Sequence, residues 1–188
     1  QRERNVNLID KPLDLQISTD YQNFDLDQRI NYTITYGNNS QLILNSLIIT
    51  ADVSSPWFDL NTLNIGNGGY LTPDNKIIWN AGKNKDLTQI DINEKGSVSF
   101  SVRLKKDFNN QKNNIVRVMA SIDSADIIPN LGGKIYNEAS LENKIRGKLT
   151  ITPSIYFKDP NSLFQNSGSY PPKVNQLNQY SLYLDVEA

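Results

Sequence analysis

Hydrophobic and polar residues alternate along most of this chain. Ile30, Tyr32, Ile34 and Tyr36 alternate with Asn31, Thr33 and Thr35. A period of two places one set on a buried face and the other in water, which predicts a half-buried strand. Leu13, Leu15 and Ile17 alternate with Asp14, Gln16 and Ser18 and predict another. Gln41 to Val53 reads as one strand, with Leu47, Ile49, Ala51 and Val53 inward. Lys76–Asn80 is a short strand. Val98, Phe100, Val102 and Leu104 form a clear one. Asp107 to Asn114 reads as a polar hairpin, with Ile115 to Ile122 as its return strand. Ser140 to Lys144 and Gly147 to Thr152 are the last strands of the set. Turn residues separate these runs: Gly37-Asn38-Asn39-Ser40, Pro73-Asp74-Asn75 and Asn93-Glu94-Lys95-Gly96. Residues 54–75 read as irregular. No window carries a helical stripe.

About eight or nine short strands with turn signals every 8–12 residues predict an all-β fold, an immunoglobulin-like antiparallel β-sandwich. Alternation favours antiparallel sheets with one wet face. The expected core includes Tyr32, Ile34, Trp79, Phe100 and Val102. The expected organisation is an extension over 1–11, a sandwich over 12–157, a Pro/Asn/Ser-rich linker over 158–176, and a strand over 177–188. In that last segment Tyr180, Leu182, Leu184 and Val186 alternate once more. The strand opens a following domain or pairs elsewhere, since an orphan strand is an exposed edge.

Composition narrows the chemistry. The 188 residues contain no His and no Cys. That excludes Ser-His-Asp and Cys-His machinery, the usual structural zinc sites and disulfides. Net charge is −1, from 19 basic and 20 acidic residues, which gives no reason to expect nucleic acid. No run approaches the roughly 18 apolar residues of a membrane span, and no signal-peptide pattern is visible. Asparagine, at 25 residues, gathers in the turns.

The stretch Asp25–Ser40, with Tyr32-Thr33-Ile34-Thr35-Tyr36 followed by an Asn-rich turn, resembles the opening of the conserved-repeat (DUF11) domains of prokaryotic cell-surface proteins. Leu42 to Ala51, Trp79 with Gly96-Ser97-Val98-Ser99-Phe100-Ser101-Val102, and Asn137-Glu138-Ala139 match later motifs of that family. The resemblance covers roughly residues 12–152. It departs at Leu26-Asp27-Gln28, where the family has a turn glycine, and at Asn175, where a glycine follows Pro-Pro-Lys-Val. It implies an immunoglobulin-like module of a stalk, adhesin or wall protein. The expected location is the cell surface or envelope. The expected partners are neighbouring domains of the same protein, and other surface proteins or glycan.

The expected function is a non-enzymatic spacer, with no catalytic residue, metal or cofactor. The alternatives are adhesion through loops 54–75 and 123–136, or strand exchange through 177–186. Trp57, Phe58 and Tyr70 are the candidate partner contacts: exposed, they favour binding; buried, they favour spacing. Asp86, Asp91, Asn93 and Glu94, and separately Asp123 and Asp126, are the nearest approach to a calcium loop. Neither has EF-hand spacing. A lysine–asparagine isopeptide crosslink has no unique trio in the sequence. Asn31 and Asn38 match the glycosylation acceptor pattern.

Overall fold

The computed structural model describes residues 11–107, 113–127, 134–147, 150–159, 163 and 165–187. Of the expected 1–11 extension, residues 1–10 lie outside the described set. The chain divides into two compact units, Gln1–Arg146 and Gly147–Ala188.

The first unit contains β1 (Leu13–Thr19), β2 (Asn23–Phe24), β3 (Arg29–Asn38), β4 (Leu44–Asn45), β5 (Ile48–Asp52), β6 (Phe58–Ile65) and β7 (Tyr70–Leu71). It continues with β8 (Lys76–Asn80), a 3-10 turn at Lys85–Leu87, β9 (Gln89–Ile90), β10 (Lys95–Leu104), β11 (Ile115–Ile127) and β12 (Lys134–Ile145). One layer has the order β1-β3-β10-β6 and the other β2-β12-β11-β5-β8-β7, with β4 and β9 as a small separate pair. All pairings in the first layer are antiparallel. In the second, only the two-residue β2–β12 contact is parallel. This is an all-β, immunoglobulin-like antiparallel sandwich.

Period two explains the layers. Ile30, Tyr32, Ile34 and Tyr36 of β3 are buried, as are Val98, Phe100, Val102 and Leu104 of β10. From the facing sheet come Ile49, Ala51, Ile77, Trp79, Val116, Val118, Ala120 and Ile122, also buried. Aromatic rings fill the middle. Tyr32 stacks on Phe100 at 4.8 Å and meets Phe24 and Phe58 edge-on at 6.4 and 6.0 Å. Such pairs add to the burial term. Truncating Phe100 to alanine would cost about 3–5 kcal/mol.

The structure departs from the sequence expectation in several places. Residues 54–75 are not irregular, because β6 forms the edge of the first layer. Its register on β10 jumps from Asp59↔Arg103 to Asn64↔Ser101. The extra residues form a bulge, so alternation is lost. Thr62 Oγ1 holds that bulge by accepting from the Arg103 N–H at 2.8 Å. The run 41–53 is two strands, not one. Ser46 breaks it at φ 52°, and Leu44–Asn45 turns away to pair with β9. β10 and β11 are not hairpin partners but lie in opposite sheets, and of the expected hairpin Asp107–Asn114 residues 108–112 lie outside the described residues. Both strands present an apolar face to the shared core, so the pattern alone does not tell neighbours from partners across it.

The division at 146/147 also differs from the boundary expected after residue 157. In the second unit, β13 (Thr150–Tyr156) finds its antiparallel partner in β14 (Ser181–Glu187). Ladder pairing between these strands, rather than with the sandwich, separates 147–157 from the first unit.

Candidate functional site

The proposed contact patch does not form on the surface. Trp57 is 1% exposed and Phe58 3%. Trp57 closes an end of the sandwich, with its Nε1 donating to the Asn113 carbonyl at 3.0 Å. Phe58 lies against Tyr32 in the core. Tyr70 is half-buried, and the Lys83 ammonium sits 4.5 Å from its ring centre, so its aromatic face has a partner within the chain. Tyr32, Ile34, Trp79, Phe100 and Val102 are all buried. Trp79 Nε1 donates to the Gly66 carbonyl at 2.9 Å, which satisfies the indole inside the fold. The Tyr32 hydroxyl has no hydrogen-bond partner among the described residues, and burial raises its pKa.

Asp86, Asp91 and Glu94 of the first acidic group line a cleft of about 490 Å³ with Tyr36, Gln89 and Lys95. Two of these carboxylates are used locally. Glu94 accepts from the Asp91 N–H at 2.7 Å, and Asp91 accepts from Gln89 Nε2 at 2.8 Å. Burial, then the charges of Asp86 and Glu94, push the Tyr36 phenol up to about 12. The second acidic group ties β4 to β11. Asp126 accepts from the Asn45 N–H, and Ser124 Oγ donates to the Asn45 carbonyl at 2.9 Å. Among the described residues, no group of three or more His, Cys, Asp or Glu is placed to hold a metal.

Lysine and asparagine do meet once in a suggestive way. Lys11 Nζ donates to Asn137 Oδ1 at 2.8 Å. That oxygen also accepts from the Glu138 N–H at 2.9 Å, and Asn137 Nδ2 donates to the Leu13 carbonyl at 2.8 Å. Lys11 is exposed. The contact is an ordinary clamp between the start of β1 and the start of β12.

Sequence reasoning placed asparagine in turns and missed this internal use. Asn38 is fully buried. Its Nδ2 donates to the Leu42 and Ile90 carbonyls at 2.7 and 3.2 Å, while its Oδ1 accepts from Ser40 N–H and Oγ at 2.9 and 2.6 Å. A glycan on Asn38 would break this hub. Asn143 Nδ2 donates to the Tyr21 and Gln22 carbonyls at 3.2 and 3.0 Å. Asn137 and Asn143 together bind β12 to both ends of β1. No periodicity marks them, because a clamp depends on what lies opposite in space.

These clamps define a direction. Leu13 begins the first strand beside Asn137, at the start of β12. Tyr21 and Gln22 follow that strand beside Asn143, near its finish. At the exit, the Arg146 N–H donates to the Phe24 carbonyl at 2.8 Å and its guanidinium pairs with Asp25 at 2.6 Å. The chain therefore enters the sandwich at one end and leaves at the other.

The second unit has a separate cleft of about 410 Å³, lined by Ile155, Tyr156, Phe157, Lys158, Tyr170 and Tyr180. Phe157 stacks on Tyr170 at 5.2 Å and tilts against Tyr180 at 5.6 Å.

No protein-family model and no curated protein matches the chain. Its fold is similar to that of solved structures. Against the full-length major pilin SpaD from Corynebacterium diphtheriae the TM-score is 0.51 with 11% identity, covering 81% of this chain and 38% of the pilin. Domains D2 and D3 of the same pilin give 0.48 and 11%, covering 81% of this chain and 58% of theirs. The chain thus spans less than two thirds of the length of these proteins. The similarity is one of fold.

Proposed function

We propose that this chain is a non-enzymatic spacer module of a larger cell-surface protein, of the conserved-repeat type. The observation that carries the proposal is the polarity of the sandwich, with entry at Leu13 and exit at Arg146 at opposite ends. From Asn137 to Ile145, β12 alone spans about 26 Å. A module built this way lengthens a polypeptide by its own long dimension. Its Trp residues are buried in the fold rather than displayed, which supports spacing over adhesion. The likeness in fold to a major pilin agrees with that role. In this proposal neighbouring modules of the same protein are the partners, and Gly147–Ala188, whose two strands residues 158–176 join, is the junction to the next module. Adhesion to protein or glycan through loops 54–75 and 123–136 would have to work without buried Trp57 and Phe58; residues 128–133 of the second loop lie outside the described residues. Strand exchange through 177–186 would first have to open the β13–β14 ladder.

Pulling the chain by its ends tests the proposal. Load reaches β1 and β12 along their lengths, so their ladders shear rather than unzip. The expected trace shows one discrete event for the sandwich, with a contour gain of roughly 430–460 Å. Gradual extension without that event, or saturable glycan binding lost in Tyr70→Ala, would overturn it.

A further inference from the structure

We infer that the apolar face of the β13–β14 ladder is a self-association surface, which packs against the same face of a second copy of this chain. The register pairs Ile151 with Val186, Pro153 with Leu184 and Ile155 with Leu182. Residues two apart share a face, so these six side chains form one stripe. Ile151, Ile155, Leu182, Leu184 and Val186 are 54%, 66%, 59%, 56% and 58% exposed. The opposite face pairs Thr152 with Asp185 and Ser154 with Tyr183. There Tyr156 and Tyr183 meet edge-on at 5.8 Å, and the Tyr183 hydroxyl bonds to Asp159. Phe157 and Tyr180 extend the apolar stripe beyond the ladder, where Tyr170 stacks on Phe157. One end of the stripe is thus covered and the remainder is open.

Three properties point to a second copy as the cover. None of the six residues is charged, so an identical face brings no like charge against it. The stripe has three apolar rungs with Pro153–Leu184 at the centre, so a two-fold axis there opposes apolar to apolar throughout, as an isologous contact requires. Two open faces of this size together bury on the order of 1,000 Å², the lower limit of a specific interface. The association is therefore weak and concentration-dependent. Face-to-face packing also adds a second layer to the two described strands, and a two-stranded sheet is marginal until a further layer covers it. Addition of a strand to the outer edge of β13 is disfavoured, because Pro153 has no N–H to offer there.

Sedimentation velocity of the full chain from micromolar to millimolar concentration tests this. The expected result is a reversible dimer, weakened at least about tenfold by Leu184→Asp and unchanged by Thr152→Lys on the polar face. Because the chain has no Cys, a single cysteine reports proximity cleanly. Leu184→Cys, a mild change, should form a disulfide-linked dimer under oxidation much faster than Thr152→Cys. A monomer across the whole range would overturn the inference. So would a dimer indifferent to Leu184→Asp, or equal crosslinking at the two positions.

Discussion

Tyr36 lies across β10 because the residue opposite it is Gly96. A side chain at 96 would put its Cβ inside the Tyr36 ring and hydroxyl. The glycine thus lets a large aromatic side chain stay buried at the edge of an acidic cleft. Burial first, then Asp86 and Glu94, raise this phenol to about 12. Unfolded, it titrates near 10. The folded state therefore holds the proton more tightly, and the stability this confers is complete below pH ~10 and is lost as pH rises toward about 12. Urea midpoints measured from pH 9 to pH 12 should fall across that interval, and Tyr36→Phe should make the fall shallower, leaving the part due to buried Tyr32. An unchanged slope in Tyr36→Phe would show that Tyr36 does not cause it. Alternation in β3 made the burial of Tyr36 legible in the sequence. Its pH behaviour was not legible, because Asp86 and Glu94 arrive from loops some fifty residues away.

Strands show the same division between what is local and what is not. The cores of β1, β3 and β10 follow directly from their alternating residues. β6 was hidden because its bulge, bridged by Thr62, removes the period that would have announced it. The layer change between β10 and β11 was hidden because an inward face looks the same in either sheet. The Asn137 clamp had no local signal at all. It holds β1 to β12 through the Leu13 carbonyl of a fully buried residue. Asn137→Ala leaves that carbonyl unpaired and frees Lys11. A loss of about 1–3 kcal/mol in urea unfolding is expected. The same variant should shear at lower force when the chain is stretched, because the clamp lies where the load enters.

At the scale of the whole molecule, the two units differ in what holds them. The buried apolar core runs from Leu13 to Ile145, and every one of its residues belongs to the first unit. The second unit has a ladder, an aromatic cluster and an open apolar face. A sheet of two strands is marginal on its own, while a sandwich with both layers closed is cooperative. A chain ending at Arg146 should therefore keep its thermal midpoint within about 2 °C of the full chain, since it loses none of the core. Residues 147–188 alone should show no sharp transition at low concentration. Calorimetry of the three species checks both statements. A large fall in the midpoint of the shortened chain would mean that the sandwich draws stability from the second unit. A spacer needs the opposite, a module whose strength lies within its own two layers, so that one unit can bear load while the next forms or breaks a contact.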